Sequence, residues 1–138
     1  FRGLRRRLML CTGEEIRPYV ESNIGATLPE NATFIADYRD GQIVSAAGFA
    51  NWYGHDVEVF LASAGALGRG FLKRLGRYAF DELGCDRVTC RVAADNEWCS
   101  VLPRVGFVEE GRIRRGFDGA DIDMMIFGVL KEEYRYGR

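Results

Sequence analysis

Three stretches of this sequence carry residue types at spacings that can do chemistry. The first is Gly65-Ala66-Leu67-Gly68-Arg69-Gly70, with three glycines in six residues. Backbone without side chains can close around a phosphate. The helical repeat Phe71, Leu75, Ala79 and Leu83 follows directly. The first N–H groups of a helix have no partner inside it, and the positive end of its dipole favours an anion. The chemistry implied is a phosphate or pyrophosphate cradle. The stretch is not the G-x-x-x-x-G-K-[ST] loop of nucleotide hydrolases. Nor is it G-x-G-x-x-G, because Lys73 stands where the third glycine belongs. On the loop alone, a flexible turn ahead of a helix is an equal reading.

The second stretch is Ala93-Ala94-Asp95-Asn96-Glu97-Trp98-Cys99-Ser100, in which Asn96 or Asp95 suits a helix N-cap. The third runs from Arg104-Val105-Gly106-Phe107 to Val108-Glu109-Glu110-Gly111, and Gly106-Phe107 reads as a turn followed by a core aromatic.

The elements that must hold these stretches follow from the periodicity. Thr12-Gly13-Glu14-Glu15 opens a short helix, with Ile16 and Val20 four apart on one face. Ala32 to Tyr38 alternates as a strand, Asp40-Gly41 is a hairpin turn, and Gln42 to Trp52 is the returning strand. Asp56 to Ala62 is a third strand, with Val57, Val59 and Leu61 on one face and Glu58, Phe60 and Ala62 on the other. A helix from Phe71 ends at Gly84, Arg87 to Val92 is a strand, and Asn96 to Pro103 a short helix. Phe107 to Phe117 and Asp121 to Val129 are extended runs around the hairpin signal Asp118-Gly119. Strand, glycine turn, helix and strand make a βαβ unit, so a parallel pairing is expected at the centre of antiparallel flanks.

Length and composition bound the rest. One domain spanning 1–138, with 47% apolar residues, can bury a core. A net charge of −1 gives no bulk attraction to nucleic acid or membrane. Cys11, Cys85, Cys90 and Cys99 show no C-x-x-C spacing and His55 is the single histidine, which argues against a metal site. Idle thiols in a reducing cytoplasm are the expectation. No run reaches the ~20 apolar residues of a membrane span. Phe1 to Leu10 lacks the apolar stretch of a signal peptide, and with Phe1 in place of Met a trimmed or engineered start is expected.

The ordered set of glycine loop, helix, strand, Asn96, short helix, Gly106-Phe107 and Glu110-Gly111 resembles the GNAT acetyltransferase superfamily. The likeness is to its ribosomal-protein N-terminal acetyltransferase and small phage or bacterial branch, over about residues 14 to 134. The resemblance implies an α+β (mixed α/β) fold. Its central mixed sheet would have about six to seven strands, an N-terminal antiparallel meander, splayed parallel strands and flanking helices. It implies acetyl-coenzyme A as cofactor and an amine acceptor, with a monomer or homodimer expected.

By the same resemblance, N–H groups of Leu67, Gly68, Arg69, Gly70 and Phe71 bind the pyrophosphate. Backbone near Phe60, Leu61 and Ala62 pairs with the pantetheine arm, which Asn96 and Ser100 face. Two positions depart from the family. Gly65 stands where Gln or Arg usually begins the motif, which removes one side-chain contact. Leu102 stands where a tyrosine often protonates the leaving thiolate.

Acyl transfer to an amine calls for a base and an acid. Glu58, in the strand beside the coenzyme and among apolar neighbours, is the first candidate base. His55, in the turn before that strand, is the second. Ser100 or Cys99 is the candidate acid. Trp52, Tyr53 and the segment Arg112 to Arg115 are candidates for the acceptor side, although a core edge and a solvated face explain them as well. Two other classes share these features. One is an inactive acyl-coenzyme A-binding or interaction module, which the departures at Gly65 and Leu102 would suit. The other is a nucleotide-binding regulatory domain, resting on the glycine loop alone.

Overall fold

The computed structural model describes residues 13–65, 67–117 and 121–137. The expectations for Phe1 to Thr12, including Cys11, and for Ala66 and the Asp118-Gly119 turn lie outside these residues. A 3₁₀ turn, Glu14–Ile16, leads into α1, Arg17–Ile24. The strands are β1, Thr33–Arg39; β2, Gln42–Ala50; β3, Asp56–Ser63; β4, Arg87–Ala93; β5, Val108–Ile113; and β6, Met124–Leu130. Helix α2, Arg69–Gly76, runs on as a π-helical segment, Arg77–Glu82, and α3 is Trp98–Val105. A 3₁₀ turn, Lys131–Glu133, follows β6.

The six strands form one sheet in the order β1-β2-β3-β4-β6-β5. β1, β2 and β3 are the expected antiparallel meander. The β1–β2 turn at Asp40-Gly41 has φ of 53° and 78°, the left-handed pair that a two-residue hairpin requires. β3 and β4 are parallel, and β4–β6 and β6–β5 are antiparallel.

The parallel pair is short. Its rungs are Asp56↔Arg87, Val57↔Val88 and Glu58↔Thr89. Beyond them β3 stays paired with β2 as far as Ser63↔Ser45, and β4 with β6 as far as Ala93↔Met124. Each strand is held by its outer neighbour while the inner edges part. The expected splay is therefore present, and it begins after Glu58.

Alternation of side chains across the sheet builds two cores. On one face Val57, Val59 and Leu61 pack with Phe71, Leu75 and Phe80 of the long helix and Leu102 of α3. On the other, Phe34, Ala36 and Ala46 pack under α1 through Ile16 and Val20.

Several elements differ from the sequence expectation, β5 and β6 among them, which span Val108–Ile113 and Met124–Leu130 rather than Phe107 to Phe117 and Asp121 to Val129. β2 stops at Ala50 because Asn51 turns left-handed, with φ of 55°. The helix expected from Phe71 starts at Arg69 and changes type at Arg77, where Leu83 N–H reaches back five residues to Tyr78 O at 2.8 Å. A strict four-residue apolar repeat outruns a 3.6-residue turn, and the wider π turns take up the drift. The short helix begins at Trp98 rather than Asn96, because Ala94 to Glu97 form a turn before it.

Gly106 closes α3 with φ of +117°, and a Cβ there would lie 2.8 Å from the carbonyl of Glu133. Gly106→Ala adds both a strained backbone and a clash. We expect it to destabilise the fold by about 1–3 kcal/mol, read as a lowered denaturation midpoint with an unchanged slope.

Candidate functional site

β3 leads straight into the glycine loop. The Ser63 hydroxyl accepts from Gly65 N–H at 3.1 Å, bonds the Gly65 carbonyl at 2.5 Å and pairs with the Ser45 hydroxyl at 3.1 Å. These contacts anchor the loop to the end of the sheet. Gly68 is the extended N-cap of α2, and the first backbone hydrogen bond it accepts comes from Leu72 N–H at 3.0 Å. The N–H groups of Arg69, Gly70 and Phe71 thus precede the helical ladder, with no side-chain cap and no acidic residue in the first turn. Phe71 turns its side chain fully into the core, so its backbone alone is on offer.

A cation that the sequence reading missed stands against this loop. Arg39, the last residue of β1, places Nη2 3.1 Å from where a Gly68 Cβ would be. The buried carboxylate of Asp37 holds that nitrogen at 3.0 Å. The signal was available. Arg39 directly precedes the Asp40-Gly41 turn, and in a three-strand meander that turn lies at the same edge as the end of β3.

The fork between β3 and β4 opens two cavities. One, of about 870 Å³, runs from Ala62, Gly65 and Leu67 to Arg104 and Tyr136. The other, of about 380 Å³, is lined by Glu58, Phe60, Arg91, Val92, Phe117 and Met124 among others. Asn23, Leu61, Asn96 and Trp98 line both. The glycine loop, the fork and the start of α3 therefore meet in one region.

The proposed catalytic residues fare differently. Glu58 occupies the last rung before the fork, with its side chain 11% exposed. The cavity around it is largely apolar, as expected, but two polar side chains meet its carboxylate. Asn51 Nδ2 donates to Oε1 at 2.9 Å, and Arg91 Nε stands 3.6 Å from Oε2. Asn51 reaches it because the left-handed turn at the end of β2 folds the residue back toward β3.

His55 is exposed in the turn that starts β3, at the end opposite the glycine loop, and lines neither cavity. Its backbone carbonyl accepts from Asp86 and Arg87 N–H at 3.0 and 3.2 Å. Ser100 is exposed, and its hydroxyl donates back to Glu97 O at 2.9 Å. The Cys99 thiol points at the Ala93 carbonyl at 3.4 Å, and burial raises its pKa. Both candidate acids are thus engaged with local backbone. Cys90 lines the smaller cavity, but burial pushes its thiol up to about 12, so it stays protonated.

Asn96 lies one residue ahead of Glu97, the N-cap of α3. Its Oδ1 accepts from Trp98 N–H at 2.8 Å, and the residue lines both cavities. Trp52 and Tyr53 stand out into solvent, 54% and 72% exposed, and are not a core edge. Arg112 and Arg115 are paired with Asp123 and Asp121 at 2.7 and 3.0 Å. Among the described residues no group of three metal-ligating side chains converges, and no helix is long and apolar enough to cross a membrane.

No family model matches the chain. Over 65 residues it is 38% identical to the Bacillus subtilis (strain 168) protein named "Putative ribosomal N-acetyltransferase YdaF", covering 45% of this chain and 36% of that protein. The match thus spans little more than a third of that relative's length. The solved structure of a "Probable acetyltransferase" superposes with a TM-score of 0.64 at 26% identity, over 76% of this chain and 64% of that one. That of "a putative phosphinothricin N-acetyltransferase" gives 0.67 at 17% identity, over 90% and 97%, a likeness of fold alone.

The hydrogen bond from Trp98 N–H gives Asn96 a cost of removal that does not depend on any ligand. Asn96→Ala is expected to lose about 1 kcal/mol of stability. Thermal unfolding of the two proteins, free of ligand, measures it.

Proposed function

We propose that this chain, which has the GNAT acetyltransferase fold, moves an acetyl group directly from acetyl-coenzyme A to a primary amine. One observation carries the reading: strand β3 leads into a glycine loop and an uncapped helix start, which suit an anion, and on its way there parts from its parallel neighbour after Glu58. A cradle alone suits any phosphate. A cradle joined to two unpaired strand edges and an open cleft suits a long ligand with phosphates at one end and amide groups along its arm. The acetyltransferase names of the relatives support the same activity.

The residues present fit that ligand. N–H groups of Arg69, Gly70 and Phe71 would hold the pyrophosphate at the helix start, with Gly68 allowing close approach. Arg39 adds the cation that Gly65 does not supply. The backbone of Phe60, Leu61 and Ala62, which has no rung to β4, would receive the pantetheine amides. Asn96, Trp98 and Leu61 wall the cleft. Acetyl-coenzyme A supplies the activated acetyl thioester.

Glu58 then stands where the fork begins. We assign it the proton of the attacking amine, with Asn51 fixing the carboxylate. Backbone N–H groups freed by the fork would stabilise the charge that develops on the thioester oxygen.

Two experiments test this reading. Gly70→Asp puts an anion into the cradle, and calorimetry should show the Kd for coenzyme A rising by more than ~10-fold. Arg39→Gln, at an exposed position, should cost about three- to tenfold, and less at high salt. Unchanged affinity in both variants moves the site elsewhere. Glu58→Gln keeps shape and removes basicity, so turnover should fall by ~10²–10⁴ while coenzyme A affinity stays. Wild-type turnover across the pH range would make Glu58 structural.

A further inference from the structure

Resting on the acetyl-transfer reading above, we propose that the acceptor is a small amine carrying a carboxylate beside its amino group. An amino acid with an apolar side chain meets that description, and a polyamine does not.

The smaller cavity is closed on the α1 side by Asn23, Ile24 and Ala26 and on the hairpin side by Phe117 and Met124. Among the described residues that line it, Glu58 and Arg91 are the only charged ones. They come from the two parting strands. Glu58 sits on the last rung, and Arg91 two residues beyond its partner Thr89. Their ion pair, Nε to Oε2 at 3.6 Å, therefore spans the mouth of the fork.

An amine within reach of Glu58 is also within a few ångströms of the Arg91 guanidinium. A bare ammonium would take Arg91's partner and meet a like charge in exchange, a repulsion that selects against it. Each further ammonium of a polyamine adds to that cost, and among the described residues the wall offers no second carboxylate. An amino acid brings its own anion. Its ammonium pairs with Glu58 and its carboxylate takes the planar guanidinium, two-pronged if Arg91 turns. One ion pair becomes two, and neither buried-side charge is stranded. Arg91 is 48% exposed and has room to turn, while Asn51 keeps Glu58 in place. Ile24, Phe60, Val92, Phe117 and Met124 leave an apolar wall for the side chain.

Transfer then balances simply. The amine gives up one proton to solvent, and its nitrogen bonds the acetyl carbon. The carbon–sulfur bond breaks, the nitrogen's second proton passes to Glu58 and on to solvent, and the sulfur takes a proton from solvent.

The test is a panel followed by release of the coenzyme thiol: leucine, methionine and phenylalanine, their methyl esters, spermidine, and a short peptide with a free N-terminus. The account expects kcat/KM for each free acid to exceed that of its ester by about 10- to 100-fold, the worth of a charge-assisted contact, with spermidine below the acids. In Arg91→Met the ratio of acid to ester should fall toward one, and Arg91→Lys should keep part of it. The wild-type panel needs no variant to fold. Esters, spermidine or the peptide used as well as the acids would overturn the proposal, and so would no turnover of any amine by protein that binds coenzyme A in a calorimeter. Failure to bind coenzyme A would instead remove the acetyl-transfer reading on which the proposal rests.

Discussion

The parting of β3 from β4 after Glu58↔Thr89 is the constraint on which the rest of the molecule depends. A sheet interior is an unusual place for backbone edges without rungs, because N–H and C=O groups there need partners. This sheet tolerates it because β2 and β6 hold the outer edges alongside the fork. The fork is held from both outer sides. It costs three or four rungs of pairing and gives an extended ligand a slot at the centre of the fold, where most proteins of this size have only core.

Electrostatics add direction to the slot. One end is the glycine loop at Gly65 and Leu67, which leads into α2, uncapped and with no acidic side chain in its first turn, with Arg39 and Arg69 beside it. Cations at the positive end of a helix dipole oppose local stability, and a bound phosphate would offset that. Asp37, buried under Arg39, keeps the guanidinium from leaving the loop. The other end holds Glu58 and Arg91, a balanced pair in a largely apolar wall. The cleft thus runs from the glycine loop, at Gly65 and Leu67, to a site of mixed charge. Local backbone, meanwhile, engages the hydroxyl of Ser100 and the thiol of Cys99.

Much of this was legible in the sequence. Alternation placed β1 and β3, hairpin signals and extended runs placed the other strands to within a few residues, and the change to a four-residue repeat placed the long helix. The glycine loop and Asn96 were found because each carries its signal in a contiguous stretch. Arg39, Asn51 and Arg91 were not, for a physical reason. Each acts across strands, through register and backbone turns that no local pattern records. Asn51 needs a left-handed φ to reach Glu58, and Arg91 needs the fork to begin at one particular rung. The two polar partners of Glu58 escaped for the same reason: Asn51 follows the end of β2 and Arg91 belongs to β4, both distant in sequence. His55 was drawn in by its residue type and placed outside by three residues of strand.

Amide hydrogen exchange on the whole chain, with and without coenzyme A, tests the central claim most directly. If the cradle and the fork are one site, protection should rise together at Phe60, Leu61 and Ala62 and at Arg69, Gly70 and Phe71, with little change on β1 or β5. Protection at the helix start alone would reduce the site to a phosphate cradle. Protection confined to other strands, or none at saturating coenzyme A, would contradict the account.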